Sequence, residues 1–173
     1  MNSNLREPPM RDQRNILSPD LQDNNNPLVL IVEDHADTRE MLRILLNMIG
    51  CRVIEAEDGE QAMSVAEKGH PDLILLDVKM PLLDGLTVTR LIRSHPVLNE
   101  VPIVLITGMA TPQLHREAYS AGCNDCLIKP LDFERLQELI KLLGRPTSRA
   151  PALRSHYSLV VRSRGAICSR DFH

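Results

Sequence analysis

The chain has 173 residues, 43% of them hydrophobic, which is enough for one α/β domain with its own core and little more. Two Phe, two Tyr and no Trp argue against aromatic stacking on nucleic-acid bases. The net charge of −3 is unevenly distributed. Residues 28–144 carry 18 acidic and 11 basic side chains, whereas residues 145–173 carry six Arg and one Asp. The sequence therefore combines an acidic globule with a basic tail.

Neither a membrane span nor a secretory signal is visible in the sequence. No apolar run approaches the ~18 residues that cross a bilayer, and the N-terminus lacks the apolar stretch of a signal peptide. We therefore expect a cytoplasmic protein without membrane contact. Thiols stay reduced in that compartment, so the four cysteines at positions 51, 123, 126 and 168 are expected to be free.

The chain divides into a leader, a domain and a tail. Residues 1–27 are polar and without periodicity, which predicts a disordered leader. Over residues 28–144 short β-branched runs alternate with helical stretches, five of each. The runs LVLIV, LILLDV and PIVLIT are continuously apolar, which is typical of strands covered on both faces. We predict a (βα)5 doubly wound parallel sheet with strand order 2-1-3-4-5, as in the flavodoxin-like fold.

Helix ends are marked by glycine and by capping residues. Four glycines stand where the helical pattern stops and are expected in the left-handed conformation: Gly50, Gly69, Gly122 and Gly144. The last helix is predicted to follow the capping residue Asp132. Four apolar side chains form its predicted docking face: Phe133, Leu136, Ile140 and Leu143.

Polar residues occupy the predicted carboxyl ends of the strands, where such sheets bind ligands. They are Glu33, Asp34, Asp77, Thr107 and Lys129. In the predicted order the first and third strands are neighbours, so the three carboxylates should converge. Such a cluster repels itself unless a cation is present, and Mg²⁺ suits carboxylates together with water and a phosphate oxygen. The sequence thus predicts a magnesium site.

Phosphoryl transfer is the chemistry that this set of residues favours. Asp77 stands alone at a strand end and is the best nucleophile, whereas the adjacent Glu33 and Asp34 are better suited to holding metal. Thr107 can donate its hydroxyl to a phosphoryl oxygen, and Lys129 supplies a positive charge for another. Gly108 leaves space for the incoming group.

Over residues 28–144 these motifs resemble the receiver domains of response regulators in two-component signalling. The resemblance rests on Glu33-Asp34, Asp77 with Met80-Pro81 and Asp84-Gly85, Thr107-Gly108, and Lys129-Pro130. It implies transfer to Asp77 from a phosphohistidine of a sensor histidine kinase or phosphotransfer protein, with Mg²⁺ as cofactor. It also implies a cis peptide bond before Pro130 and a metal ligand in the backbone carbonyl of Lys79.

Two positions depart from the family pattern. The resemblance implies a switch that repacks the fourth helix, fifth strand and fifth helix, reported by an aromatic residue three positions before Lys129. Cys126 stands at that position, which makes it an atypical switch position. Lys79 borders the route of attacking water, and we hypothesise that Lys79 and Met109 tune the lifetime of the aspartyl phosphate.

Three further features have ordinary interpretations. The pair Cys123 and Cys126 has redox spacing but is expected to be two small buried side chains. His35 could ligate a metal, but Mg²⁺ prefers oxygen, so solvation at a helix start is expected. The basic tail could bind nucleic acid, but a disordered extension or an intramolecular partner for the acidic domain is favoured.

The expected function is that of a single-domain response regulator. The tail of 29 residues is too short for a DNA-binding output domain, so we expect signalling through an unknown downstream protein, with phosphorylation-dependent dimerisation left open. The alternative is a receiver-like binding module that works without phosphorylation. Flavodoxin or phosphatase activity is disfavoured because the segment EDHADT provides neither required loop. No enzyme activity is expected beyond self-phosphorylation from small donors and self-dephosphorylation.

Overall fold

The computed structural model describes residues 26–143 of the chain. Apart from Asn26 and Pro27, the predicted leader lies outside that range, as does the tail, so both stay predictions. Strands and helices alternate along the described chain: β1 (Leu28–Val32), α1 (Ala36–Ile49), β2 (Arg52–Ala56), α2 (Gly59–Gly69), β3 (Leu73–Asp77), α3 (Gly85–Ser94), β4 (Ile103–Thr107), α4 (Pro112–Ala121), β5 (Asp125–Ile128) and α5 (Phe133–Leu143).

The five strands form one parallel sheet in the order β2-β1-β3-β4-β5. This confirms the predicted doubly wound fold. The chain order reverses between β1 and β3, which opens a crevice at the carboxyl ends of those two strands. In the register of the neighbouring strands, Asp77 lies opposite Ile106 and Thr107 lies opposite Ile128.

Alternating residues of each central strand enter two separate hydrophobic layers. In β1, Leu30 and Val32 pack with residues of α2, α3 and α4, while Val29 and Ile31 pack with residues of α1 and α5. All four side chains are at most 1% exposed. Helices thus cover both faces of the sheet, which explains why the strand sequences are apolar without interruption.

The helix ends follow the glycine prediction at two positions and depart from it at a third. Gly50 and Gly122 adopt the left-handed conformation, with φ of 89° and 103°. Gly69 does not, because it is the last residue of α2 and His70 takes the left-handed position with φ 48°. A Cβ on Gly69 would lie 2.5 Å from the Cδ1 atom of Ile54, the flexible end of a β2 side chain, so the two residues pack closely. Gly144 lies outside the described residues.

Helix α5 follows the predicted cap but only part of the predicted docking face. The Asp132 side chain accepts a hydrogen bond from the backbone N–H of Arg135, 3.1 Å long. Leu136 and Ile140 are buried against the sheet. Phe133 is 36% exposed, so its assignment to the docking face was wrong, and the side chain of Leu143 is outside what the structure describes. Phe133 is the first residue of the helix and lies at the rim of the sheet, where the core no longer covers it.

Within residues 26–143 none of the helices combines the length and the apolar character needed to cross a membrane.

Candidate functional site

The strand ends bring the predicted polar residues to one edge of the sheet. Glu33 follows β1, Asp77 ends β3, Thr107 ends β4 and Lys129 follows β5. Glu33 is 1% exposed and Asp77 is 4% exposed, so two carboxylates are buried where the strand order reverses. Burying a charge is unfavourable unless it is paired, so these carboxylates need a cationic partner.

Lys129 is that partner for both carboxylates. Its Nζ atom lies 2.7 Å from Oδ1 of Asp77 and 2.8 Å from Oε2 of Glu33. Burial opposes the positive charge, but the hydrogen bonds to Asp77 and Glu33 outweigh it and raise the pKa of Lys129. The Lys129–Pro130 peptide bond is cis, as the resemblance implies. The ammonium group thus joins the ends of β1 and β3.

The loop after β3 holds the second oxygen of the Asp77 carboxylate. The backbone N–H of Lys79 donates to Oδ2 of Asp77 over 2.7 Å. The loop then folds back, and the N–H of Gly85 donates to the carbonyl of Val78 over 3.0 Å. A Cβ on Gly85 would lie 2.3 Å from the carbonyl oxygen of Asp77, so only glycine permits this approach. The Asp84-Gly85 motif therefore supports the backbone of the candidate nucleophile.

One buried oxygen at the site has no hydrogen-bond partner among the described residues. It is Oε1 of Glu33, whose other carboxylate oxygen binds Lys129. Lys129 contacts Asp77 and Glu33, whereas the half-buried Asp34 beside Glu33 contacts the exposed His35. The residual negative charge and the unpaired oxygen fit a hard, oxygen-seeking cation.

His35 contacts the acidic pair from the solvent side. Its Nδ1 atom lies 3.0 Å from Oδ1 of Asp34 and 3.5 Å from Oε1 of Glu33. The hydrogen bond and the negative charge of Asp34 raise the pKa of His35. The side chain is 74% exposed, in line with the expected solvated helix start. Its contacts with the carboxylates were not foreseen, since adjacency in sequence alone does not fix where a ring points.

Thr107 and Gly108 lie at the end of β4. The Thr107 hydroxyl is 3.1 Å from both the backbone N and the backbone O of Met109. It is therefore engaged with its own loop. A Cβ built on Gly108 meets no atom within 4 Å, so the space beside Thr107 is open. A phosphoryl group that received a hydrogen bond from Thr107, as predicted, would occupy this open space beside Gly108.

Lys79 and Met109 meet across the entrance to the site. The Lys79 ammonium nitrogen lies 3.9 Å from the sulfur of Met109, and both side chains are exposed. They come from the loops after β3 and β4. The structure thus brings together the two residues for which a shared role was hypothesised.

Cys126 lies in β5 opposite Leu105 of β4. It is half-buried and packs against the core on the α2–α4 face of the sheet. Its Sγ atom lies 3.8 Å from that of Cys123. Cys123 precedes the strand and is buried, whereas the sequence interpretation placed both cysteines within the strand.

Sequence reasoning missed the support that Arg39 gives to the acidic loop. This residue of α1 donates to the backbone carbonyl of Glu33 over 2.7 Å and to the Glu57 carboxylate over 3.0 Å. It fixes the segment after β1 to the segment after β2. No motif marks this arginine, and only the tertiary structure shows that the first turns of α1 face that carbonyl.

Comparison with known proteins identifies the class that this fold and site define. The family model of the response regulator receiver domain matches residues 29–141. The chain belongs to that family, and its domain is a phospho-accepting module of two-component signalling. Receiver domains receive their phosphoryl groups from histidine kinases or phosphotransfer proteins and generally bind Mg²⁺ at an acidic site.

Individual relatives share the domain and differ in what accompanies it. The polar-differentiation response regulator DivK of Brucella ovis is 32% identical over 113 residues, covering 65% of this chain and 92% of its own. The DNA-binding dual master transcriptional regulator RpaA of Synechocystis is 31% identical over 134 residues, covering 78% of this chain but 56% of its own. The chain spans about half the length of RpaA and of the other transcriptional regulators that it matches.

A solved structure with a bound metal is also similar. The receiver domain of the sensor histidine kinase PA1611 from Pseudomonas aeruginosa has a magnesium ion coordinated in its active site cleft. It is 34% identical, with a TM-score of 0.64, and the match covers 68% of this chain and 97% of that domain.

Proposed function

We propose that Asp77 accepts a phosphoryl group from a phosphohistidine of a sensor histidine kinase or phosphotransfer protein. The observation that carries the proposal is the buried Asp77 carboxylate, held by Lys129 at one oxygen and by the backbone of Lys79 at the other. A carboxylate fixed in this way is oriented before the donor arrives.

The acidic residues are proposed to hold Mg²⁺. Glu33, Asp34 and Asp77 would supply side-chain oxygens, and Lys79 would supply its backbone carbonyl. The Oε1 atom of Glu33, which is buried without a hydrogen bond among the described residues, supports this assignment. When bound, the ion neutralises charge on the transferring phosphoryl group.

In the proposed reaction the Asp77 carboxylate forms a bond to phosphorus while the phosphorus–nitrogen bond of the phosphohistidine breaks. The leaving imidazole nitrogen keeps the bonding electron pair and takes up a proton. Lys129 stabilises one phosphoryl oxygen with its charge, and Thr107 donates its hydroxyl to another. Thr107 must exchange its contacts with Met109 for the phosphoryl group, and this movement is the proposed origin of the signal.

Helix α1 is the proposed docking surface for the phosphohistidine donor. It begins directly after the acidic segment and exposes three large apolar side chains at helical spacing. Met41 is 45% exposed, Ile44 is 49% exposed and Met48 is 70% exposed. Apolar side chains in such a row suit a helical partner surface.

The proposed output is docking to a downstream protein whose identity is unknown, with a phosphorylation-dependent dimer as one form of it. Direct DNA binding is not proposed. The proposed chemistry of the chain is limited to self-phosphorylation from small donors and self-dephosphorylation.

Incubation with acetyl phosphate and Mg²⁺ tests the proposal. The intact mass should rise by one phosphoryl group, and the Asp77→Asn variant should show no increase. Asp58→Asn is the matched control, because Asp58 caps α2 away from Lys129 and Asn caps helices equally well. An unmodified wild-type chain would favour the alternative of a binding module that works without phosphorylation.

A further inference from the structure

A pair of thiols lies at the start of β5, outside the phosphoacceptor site. The Sγ atoms of Cys123 and Cys126 are 3.8 Å apart. A disulfide requires about 2.05 Å between the sulfurs, so a shift of about 2 Å closes the gap. The third cysteine of the described chain, Cys51, belongs to the other hydrophobic layer, on the α1 and α5 face of the sheet.

We propose that Cys123 and Cys126 form a reversible disulfide when the protein meets a peroxide, making this pair a redox modification site. The bond would fasten the start of β5 to the turn that follows α4. Disulfides that form in reducing compartments are typically transient rather than permanent structural bridges.

The backbone between the two cysteines is fixed by its surroundings. Arg93 of α3 donates to the carbonyl of Gly122 over 2.7 Å and to Oδ1 of Asn124 over 2.8 Å. Asn124 also exchanges hydrogen bonds of 2.8 Å with the backbone of Ile103. Gly122 and Asn124 border Cys123 on either side, so the turn is anchored to α3 and β4. The short sulfur separation is therefore built into the fold.

The two thiols differ in a way that assigns their roles. Cys126 is half-buried and offers access to a small oxidant, whereas Cys123 is 7% exposed. When Cys123 donates the hydrogen bond between the sulfurs, that bond and burial raise the pKa of Cys123, and the same bond lowers the pKa of Cys126 against its partial burial. The negative charge of Asp125 opposes ionisation of Cys126, but that carboxylate is paired with Arg135 at 2.8 Å. Cys126 is therefore the attacking thiol and Cys123 the resolving one.

The proposed reaction is balanced with hydrogen peroxide as the oxidant. The Cys126 thiolate attacks one peroxide oxygen, the oxygen–oxygen bond breaks, and the departing hydroxide takes a proton to become water. Cys126 is then a sulfenic acid. The Cys123 sulfur attacks that sulfur, the sulfur–oxygen bond breaks, and a second water leaves with the remaining thiol proton. The two thiols lose two electrons, and the peroxide is reduced to water.

Peptide mapping of the full chain tests the proposal. The reduced protein is treated with hydrogen peroxide, quenched with N-ethylmaleimide under denaturing conditions and digested with trypsin. One peptide, residues 117–135, carries both cysteines, because trypsin does not cleave between Lys129 and Pro130. It should lack both maleimide groups, weigh two hydrogens less than the dithiol, and regain both thiols with dithiothreitol. Cys51 should carry maleimide, because burial raises its pKa to about 11 and shields it from peroxide.

Single variants test the assigned roles. In Cys123→Ser the sulfenic acid of Cys126 should persist and be captured by dimedone. In Cys126→Ser the peroxide-dependent loss of the Cys123 thiol should slow at least about tenfold. A peptide 117–135 that carries two maleimide groups, or a disulfide from either cysteine to Cys168, would overturn the proposal. The proposal would also be overturned if the Cys123 thiol were oxidised at the same rate in the wild type and in Cys126→Ser.

Discussion

At the scale of single residues, the Lys129 ammonium group links Asp77 to the acidic pair. It lies within hydrogen-bond distance of both Asp77 and Glu33, two carboxylates that are almost inaccessible to solvent. Before phosphorylation, Lys129 thus compensates buried negative charge. In the proposed reaction the same charge is available to a phosphoryl oxygen, so one side chain would serve both the resting and the reacting site.

Replacing Lys129 with Met should therefore destabilise the protein in the absence of divalent cations. Two buried carboxylates would lose their cationic partner, and we expect a loss of about 1–3 kcal/mol in the free energy of unfolding at neutral pH. Urea unfolding in the presence of EDTA measures this loss. Lys141→Met, on the exposed side of α5, is the control and should change stability little. Equal stability of the two variants would refute the bridging role of Lys129.

The Lys79–Met109 contact predicts an effect on dephosphorylation. On the hypothesis that this contact limits the approach of water to a phosphorylated Asp77, removing either side chain gives water easier access. Lys79→Ala and Met109→Ala should each shorten the lifetime of the aspartyl phosphate several-fold, up to roughly tenfold. The lifetime can be followed by the decay of the phosphorylated mass after the small donor is removed.

Lys68→Ala is the control for these two variants. Lys68 lies in the last turn of α2, at the opposite edge of the sheet from the site. Unchanged decay rates in all three variants would show that Lys79 and Met109 do not gate the approach of water.

The sequence predicted that these strand-end residues lie close together but not which side chains pair with one another. Asp77, Glu33 and Lys129 were placed together because strand order brings strand ends together, a property that periodicity reveals. Two contacts depend on side-chain rotamers: the hydrogen bond from Lys129 to Glu33, and the hydrogen bonds between the Thr107 hydroxyl and the backbone of Met109. No sequence pattern specifies those rotamers, so such contacts appear only in the structure.

At the scale of elements, the loop between β3 and α3 is constrained by Gly85. An added methyl group would lie 2.3 Å from the carbonyl of Asp77 and 2.9 Å from the Cα atom of Val78. Both neighbours are backbone, which cannot move aside as a flexible side chain can. The start of α3 and the end of β3 are thus in direct contact beneath the candidate nucleophile.

Gly85→Ala should therefore lower the free energy of unfolding by about 1–3 kcal/mol. Gly108→Ala offers a matched control in the neighbouring loop, because a Cβ there meets nothing within 4 Å. It should change stability by no more than about 0.5 kcal/mol. Thermal or urea unfolding of the two variants side by side would decide, and a Gly85→Ala protein as stable as Gly108→Ala would contradict this packing argument.

The apolar row on α1 predicts a separable effect on the phosphohistidine donor. Ile44→Asp should slow phosphotransfer from a phosphorylated histidine phosphotransfer protein about tenfold, by analogy with loss of an interface anchor. Phosphorylation from acetyl phosphate should not change, because Ile44 lies outside the metal and phosphoryl site.

Val97→Asp is the control for this surface. Val97 is 59% exposed in the segment between α3 and β4, at the far edge of the sheet. The assignment of α1 as the docking surface would be wrong if Ile44→Asp slowed phosphorylation by acetyl phosphate as well as by the phosphotransfer protein. It would also be wrong if Val97→Asp slowed transfer from the phosphotransfer protein as much as Ile44→Asp does.

Element boundaries show where sequence reasoning succeeds and where it fails. The strand order and the glycine ends of α1 and α4 followed from apolar runs and from the left-handed preference of glycine. The end of α2 did not, because the helix includes Gly69 and the left-handed position falls on His70. Phe133 likewise has the spacing of a core residue but lies beyond the core. Local periodicity specifies neither the residue at which a helix ends nor where the core ends.

At the scale of the whole molecule, the features proposed to receive a phosphoryl group lie together at one edge of the described domain. The buried acidic edge, the open space beside Thr107 and the entrance formed by Lys79 and Met109 all lie at the carboxyl ends of the strands. The proposed redox pair lies outside that site, on the α2–α4 face of the sheet, where Cys126 occupies the atypical switch position. The acceptance of a phosphoryl group and the oxidation of the cysteine pair can therefore be tested independently.

The most direct test of the central claim is chemical mapping of the phosphorylated residue. The chain is incubated with acetyl phosphate and Mg²⁺, and the product is reduced with borohydride, which converts an aspartyl phosphate to homoserine. Tandem mass spectrometry of the digested protein should then find homoserine at position 77 and unmodified aspartate at position 34. Homoserine at another aspartate, or none at any position, would contradict the assignment of Asp77 as the phosphoacceptor.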